Sequence, residues 1–221
     1  MVQLDVYLNT LLCALQERFG KRLIYVGLQG SYLRGEATEH SDIDVMAVID
    51  TLSAKDLDTY KESLISVGEY EKSCGFLCGK DELSNWNPLE ICHLLHTTKD
   101  YYGKLNALVP AYTAEDERNF VKLSLNNLFH ELCHGYIHSD RATNIERLPY
   151  IYKSVFFLLQ NMHYLASGNF VTTKKDLLSK LAGKEQEVLE TAMMIAGKRE
   201  YEFGQAFRIL FDWCQQAIIR I

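Results

Sequence analysis

The chain has 221 residues and a net charge of −6, with 48% hydrophobic and 24% charged residues. This length can bury one large core or two modest ones, and the composition is ordinary for a soluble globular protein. The acidic balance argues against a bulk nucleic-acid binder, because phosphate contacts need clustered Lys and Arg side chains. There is no basic leader and no apolar run of the ~20 residues that span a bilayer. We therefore expect a cytoplasmic protein that binds neither nucleic acid nor membrane.

The first half of the chain alternates short apolar runs with helical patterns. In chain order the pattern predicts a helix over Val2–Phe19, a strand over Leu23–Leu28, a strand over Asp42–Ile49, a helix over Ala54–Tyr70 and a third strand over Leu89–His96. Helices interleaved with strands favour a layered domain of the α+β class, with a small mixed β-sheet and flanking helices. We assign this domain to residues 1–110.

After Pro110 the pattern is helical almost throughout. One stripe at helical spacing consists of Leu125, Leu128, Phe129, Leu132 and Tyr136. Further helices are predicted over residues 144–166, 184–196 and 202–221, with a short helix capped by Thr172 or Thr173. These segments predict a C-terminal helical bundle of four or five helices, which we assign to residues 111–221.

The segment that carries chemistry is Gly-Ser-Tyr-Leu-Arg-Gly-Glu-Ala-Thr-Glu-His-Ser-Asp-Ile-Asp, residues 30–44. A Gly30-Ser31 turn directly after a strand offers backbone N–H groups and a hydroxyl to phosphate oxygens. Asp42 and Asp44 lie two residues apart, so both carboxylates project from the same face of the next strand. Such a pair repels itself unless a cation neutralises it, and Mg²⁺ is the usual cation. The segment therefore predicts a metal-dependent nucleotide site.

A Gly-Ser pair followed about ten residues later by Asp-x-Asp resembles the motif of the DNA polymerase β-like nucleotidyltransferase superfamily. The Arg-Gly at 34–35 and the Ser-Asp-Ile-Asp at 41–44 are similar to the branch with aminoglycoside and lincosamide nucleotidyltransferases and minimal nucleotidyltransferases. The resemblance of the motif covers residues 23–50. It implies that an NTP and one or two Mg²⁺ ions bind, and that a nucleoside monophosphate passes to an acceptor hydroxyl with release of pyrophosphate.

The resemblance also implies a third carboxylate on a neighbouring strand, as a further metal ligand and catalytic group beside Asp42 and Asp44. Glu90 fits best, because it opens the predicted third strand after Asn87-Pro88. The competing candidates, Asp81 and Glu82, follow Gly79-Lys80 in what reads as a loop.

Two cations are candidates for nucleotide binding. In the antibiotic-modifying relatives a lysine of the helical domain reaches the triphosphate, and Lys153 resembles it in its helical placement before an apolar run. Arg34 contacts phosphate or pairs with Glu36 or Glu39. Gly30, Ser31, Arg34 and Lys153 together form the predicted nucleotide-binding set.

The predicted function is Mg²⁺-dependent transfer of a nucleoside monophosphate, with AMP expected, to a hydroxyl of a small acceptor such as an antibiotic. The alternatives are an antitoxin-like enzyme that modifies a partner protein and a silent nucleotide-binding module.

The sequence His130-Glu131-Leu132-Cys133-His134, with His138 one turn on, also matches the short zinc-hydrolase pattern, but the extended form of that pattern fails. Cys74, Cys78 and Cys92 match no known zinc spacing. The sequence specifies neither the acceptor nor the oligomeric state.

Overall fold

The computed structural model describes residues 2–197 and 200–221. The chain divides into two compact units, Met1–Tyr112 and Thr113–Ile221. The boundary lies close to the one predicted from the change of pattern after Pro110. The assignment of the two units as a catalytic domain and a helical domain stays a prediction.

The first unit contains five helices and four strands among the described residues. In chain order they are α1 (Leu4–Phe19), β1 (Leu23–Leu28), α2 (Gly30–Arg34), β2 (Ile43–Ile49), α3 (Ala54–Val67), β3 (Ser73–Gly79), α4 (Lys80–Ser84), α5 (Pro88–His96) and β4 (Lys99–Tyr102). Short 3₁₀ turns precede β1 and β3 and follow β4. The helices and strands alternate as the α+β prediction requires.

The four strands form one mixed sheet with the order β3-β2-β1-β4. Strand β1 is antiparallel to both β2 and β4, whereas β2 and β3 are parallel. In the parallel pair Asp44 lies opposite Cys74. The two central strands are buried on both faces, which explains why the sequence reads there as continuous apolar runs.

One face of the sheet packs against α1 and α3, where Leu11, Leu15 and Val45 are buried. The N-terminus of α3 is fixed by a capping box between Ser53 and Asp56. Arg22 adds two hydrogen bonds from its guanidinium to the Asp56 carboxylate, at 3.0 and 2.8 Å. These contacts tie α3 to the start of β1.

The prediction of a third strand over Leu89–His96 is wrong, because this segment is the helix α5. The Asn87 side chain accepts a hydrogen bond from the Leu89 N–H at 3.1 Å, and Pro88 occupies the first turn, where its missing N–H is harmless. The neighbouring side chains Ile91 and Cys92 are the buried residues of the helix. A short apolar run cannot by itself distinguish a buried strand from a buried helix.

The second unit is helical, as predicted. Its helices are α6 (Ala114–His138), α7 (Arg141–Ser167), α8 (Lys174–Leu178), α9 (Gly183–Ala196) and α10 (Phe203–Arg220). Of the predicted stripe, Leu125, Leu128 and Leu132 are buried in the core and Phe129 packs against it. The inclusion of Tyr136 is wrong, because its side chain is 59% exposed. Thr173 caps α8 by accepting a hydrogen bond from the Asp176 N–H. No helix in the described ranges is long and apolar enough to cross a membrane.

Candidate functional site

The turn between β1 and α2 lies directly against the second carboxylate of the motif. The Gln29 N–H donates a hydrogen bond to the Asp44 carbonyl oxygen at 2.8 Å, which ties the end of β1 to the start of β2. Gly30 follows with φ +70°, and a Cβ built there would lie 1.8 Å from Asp44 Oδ2. Only glycine leaves room for the carboxylate at this distance and accepts this backbone conformation without strain.

The two aspartates differ in their surroundings. Asp44 is half-buried on β2, whereas Asp42 is exposed immediately before the strand. Burial raises the pKa of Asp44, and the negative charge of Asp42 raises it further, against the lowering effects of the Cys74 thiol and the Arg34 guanidinium. The negatively charged form of Asp44 is therefore unfavourable unless a cation lies nearby.

Cys74 is the residue that the sequence analysis missed as part of this site. It lies opposite Asp44 in the parallel pair of β2 and β3, and the effect of its thiol is to lower the pKa of the Asp44 carboxyl. Burial raises the pKa of Cys74, and both aspartates add to this effect. The thiol therefore stands on the neighbouring strand, where the family resemblance implied a third carboxylate.

Ser31 and Arg34 belong to the short helix α2, which the turn opens. Arg34 Nε donates to Glu36 Oε2 at 3.0 Å, and the two side chains are only 12% and 22% exposed. The positive charge of Arg34 acts on Asp44. The structure thus brings the predicted residues Gly30, Arg34 and Asp44 together.

Glu90 is not on a strand next to β2. It lies exposed in the first turn of α5, where its carboxylate accepts a hydrogen bond from Trp86 Nε1. Within residues 2–197 and 200–221, no group of three or more His, Cys, Asp and Glu side chains is arranged to hold a metal ion. The strand placement predicted for Glu90 is wrong, and its part in metal binding and catalysis stays a prediction.

Lys153 lies on the exposed side of α7, with its ammonium 5.0 Å from the centroid of the Tyr150 ring. Lys174, at the start of α8, lies 5.5 Å from the centroid of the Phe156 ring. Both lysines belong to the second unit, and the role of Lys153 in nucleotide binding stays a prediction.

Two comparisons with known proteins bear on this geometry. The model of the nucleotidyltransferase domain family matches residues 8–83, which include the turn, both aspartates and Cys74. The fold resembles the crystal structure of spectinomycin adenyltransferase AAD(9) from Enterococcus faecialis with ATP and spectinomycin, with a TM-score of 0.64 at 13% identity, over 98% of this chain and 99% of that chain. No curated protein sequence matches the chain. Residues 8–83 of the first unit therefore match the nucleotidyltransferase domain family, and the fold of the chain is similar to that of a solved adenyltransferase.

Proposed function

We propose that the chain transfers AMP from ATP to a hydroxyl of a small acceptor molecule in a Mg²⁺-dependent reaction. One observation carries the proposal, namely the packing of the Gly30 turn against Asp44, with Asp42 two residues before it. This packing supports the proposal, because nucleotidyl transfer requires groups that bind phosphate beside carboxylates that bind a metal.

The residues at the site fit a Mg²⁺ ion. Carboxylate oxygens are the ligands that this hard cation prefers, and Asp42 and Asp44 supply two carboxylates. The raised pKa of Asp44 comes from burial and from the charge of Asp42, and a cation would offset both. When bound, the metal supplies Lewis-acid activation of the phosphoryl group and charge neutralisation of the leaving pyrophosphate.

The protein groups around the carboxylates have separate roles in the proposal. Backbone N–H groups of the turn and the Ser31 hydroxyl bind triphosphate oxygens. Arg34, held by Glu36, adds positive charge beside the phosphates. Asp42 and Asp44 would hold the metal ion beside the turn that binds the triphosphate.

The proposed acceptor is a small hydroxyl compound of the antibiotic type, and the proposed location is the cytoplasm. Support for the acceptor comes from the fold, which resembles that of an enzyme solved with ATP and spectinomycin. The net charge of −6 is compatible with a cationic acceptor. Aminocyclitols and aminoglycosides therefore come first in a test panel, followed by lincosamides and proteins.

A second candidate function is a nucleotide-binding module without turnover. The observation that favours it is Cys74, because the strand beside Asp44 carries a thiol there in place of a carboxylate. A thiol is a poorer ligand for Mg²⁺ than a carboxylate, so two carboxylates would have to hold the metal.

One experiment separates the two functions. The protein is incubated with labelled ATP, Mg²⁺ and the acceptor panel, and pyrophosphate release and transfer of label are followed. We expect transfer that needs Mg²⁺ and is lost in Asp42→Ala, while Asp50→Ala, at the far end of β2, serves as the matched control. Mg²⁺-dependent ATP binding without transfer to any acceptor would favour the binding module. Equal transfer by Asp42→Ala and wild type would overturn the proposed mechanism.

A further inference from the structure

A separate group of metal-binding side chains lies on α6, in the second unit. His130, His134 and His138 are spaced four residues apart, so they stand above one another on one face of the helix. All three side chains are exposed. The ring centroids of His130 and His134 are 5.7 Å apart, and those of His134 and His138 are 4.7 Å apart.

The glutamate of this segment does not serve the histidines as a catalytic base. Glu131 Oε1 accepts a hydrogen bond from Arg147 Nη2 at 3.2 Å, which joins α6 to α7. Both side chains line a small cavity together with Phe207. The zinc-hydrolase pattern therefore lacks a glutamate free to polarise water, whereas the imidazoles keep their capacity to bind a metal.

The two histidine pairs are not equivalent. His134 and His138 have the shorter ring separation, and His138 is the last residue of α6. The C-terminal end of a helix carries partial negative charge from unpaired carbonyl groups, which favours a nearby cation. His130 lies two turns further from that end. The shorter ring separation and the helix dipole thus both favour His134 and His138 as the pair that binds a metal ion.

We propose that His134 and His138 form a two-imidazole chelate for a borderline transition-metal ion of the zinc, nickel and copper class. Imidazole nitrogen suits these ions better than Mg²⁺, which prefers oxygen. The helix backbone fixes both ligands, so chelation orders only a few side-chain torsions. No third His, Cys, Asp or Glu joins them in the part of the chain that the structure describes, so water completes the coordination and the ion is exchangeable. This site is distinct from the carboxylate pair of the first unit and does not depend on the proposed function.

The proposal is tested by calorimetric titration of untagged protein with Ni²⁺ and with Zn²⁺, in an excess of Mg²⁺ that occupies hard-ligand sites. We expect one ion per chain. Loss of one of the two ligands should lower affinity at least about tenfold in both His134→Ala and His138→Ala, whereas His130→Ala stays within about threefold of wild type.

The matched control is His163→Ala, which removes a half-buried histidine of α7 and should leave affinity unchanged. Circular dichroism of each variant checks that the helices are retained, as expected for three exposed side chains of α6. Unchanged Ni²⁺ affinity in His134→Ala would overturn the proposal, because binding would then belong to other groups such as the cysteines. Equal losses in His130→Ala and His138→Ala would overturn the choice of pair.

Discussion

Replacing Gly30 by alanine tests whether the turn and Asp44 act as one unit. The backbone of Gly30 is left-handed, with φ +70°, and an added Cβ would lie 1.8 Å from Asp44 Oδ2 and 2.6 Å from Asp44 Cγ. Gly35 ends α2 with nearly the same φ, +69°, but an added Cβ there meets nothing within 4 Å. Gly35→Ala is therefore a matched control, because it introduces the same backbone strain without contact to Asp44.

The two variants share one loss of stability, from the backbone, and should differ in activity. A left-handed conformation costs a non-glycine residue about 1–2 kcal/mol, so both substitutions should lower the free energy of unfolding by roughly that amount. In a protein of this size about 1 kcal/mol corresponds to a fall in Tm of about 2–4 °C. Only Gly30→Ala also forces the Asp44 carboxylate back by about 1.5 Å to reach an ordinary van der Waals distance. A displacement of about 1 Å in a reacting geometry can lower the rate on the order of 100-fold.

Thermal unfolding and the rate of pyrophosphate release measure these two effects separately. We expect the rate of Gly30→Ala to fall about 100-fold below that of Gly35→Ala. Its Tm should also be the lower of the two, because displacement of the Asp44 side chain adds to the backbone strain that both variants share. The reasoning would be refuted if both variants transferred AMP at similar rates, since the contact between turn and carboxylate would then be irrelevant to catalysis.

The remaining stability predictions follow from two carboxylates whose pKa values move in opposite directions. Burial raises the pKa of Asp44, so ionisation of its carboxyl destabilises the fold as pH rises through the pKa of the folded state. Asp44→Asn should therefore have a higher Tm than wild type at pH 7, and this difference should close at acidic pH. The Arg22 guanidinium lowers the pKa of Asp56 far below its usual range, so Asp56→Asn should have a lower Tm than wild type at pH 7. That difference should shrink as pH falls below about 4, where an unfolded aspartate is protonated. Thermal scans between pH 3 and pH 8, at ~0.15 M salt, measure both effects, and pH-independent differences would contradict them.

The parts of the fold that the sequence predicts are those encoded by local patterns. β1 and β2 are continuous apolar runs, and Gly30, Ser31, Asp42 and Asp44 fall within one short segment, so strand, turn and carboxylates could be read together. The structure places the turn and Asp44 in contact, as that order requires.

The parts that escaped prediction depend on contacts between distant segments. Strand β3 has the sequence Ser-Cys-Gly-Phe-Leu-Cys-Gly, in which two glycines weaken the strand signal. Its parallel pairing with β2 is a long-range contact with no local signature, so nothing in the sequence pointed to Cys74 as the neighbour of Asp44. The strand assigned to Glu90 failed for the complementary reason, since the Asn87 cap and Pro88 turned an apolar run into a helix.

The thiol at position 74 leaves the site with two carboxylates rather than three, and Cys74→Asp tests what a third one does to stability and metal binding. The thiol lowers the pKa of Asp44 and is itself neutral, whereas an aspartate would place a third negative charge beside Asp42 and Asp44. Without Mg²⁺ the variant should unfold at a lower temperature than wild type because like charges repel at short distance. With Mg²⁺ at about 100 times the Kd of the variant, binding raises the free energy of unfolding of the variant by about 2.7 kcal/mol. Mg²⁺ should therefore increase the Tm of the variant by more than it increases the Tm of wild type. Cys74→Ser, which adds no charge, is the matched control and should respond to Mg²⁺ as wild type does. If Mg²⁺ shifted the Tm of all three proteins equally, the residue opposite Asp44 would have no influence on metal binding.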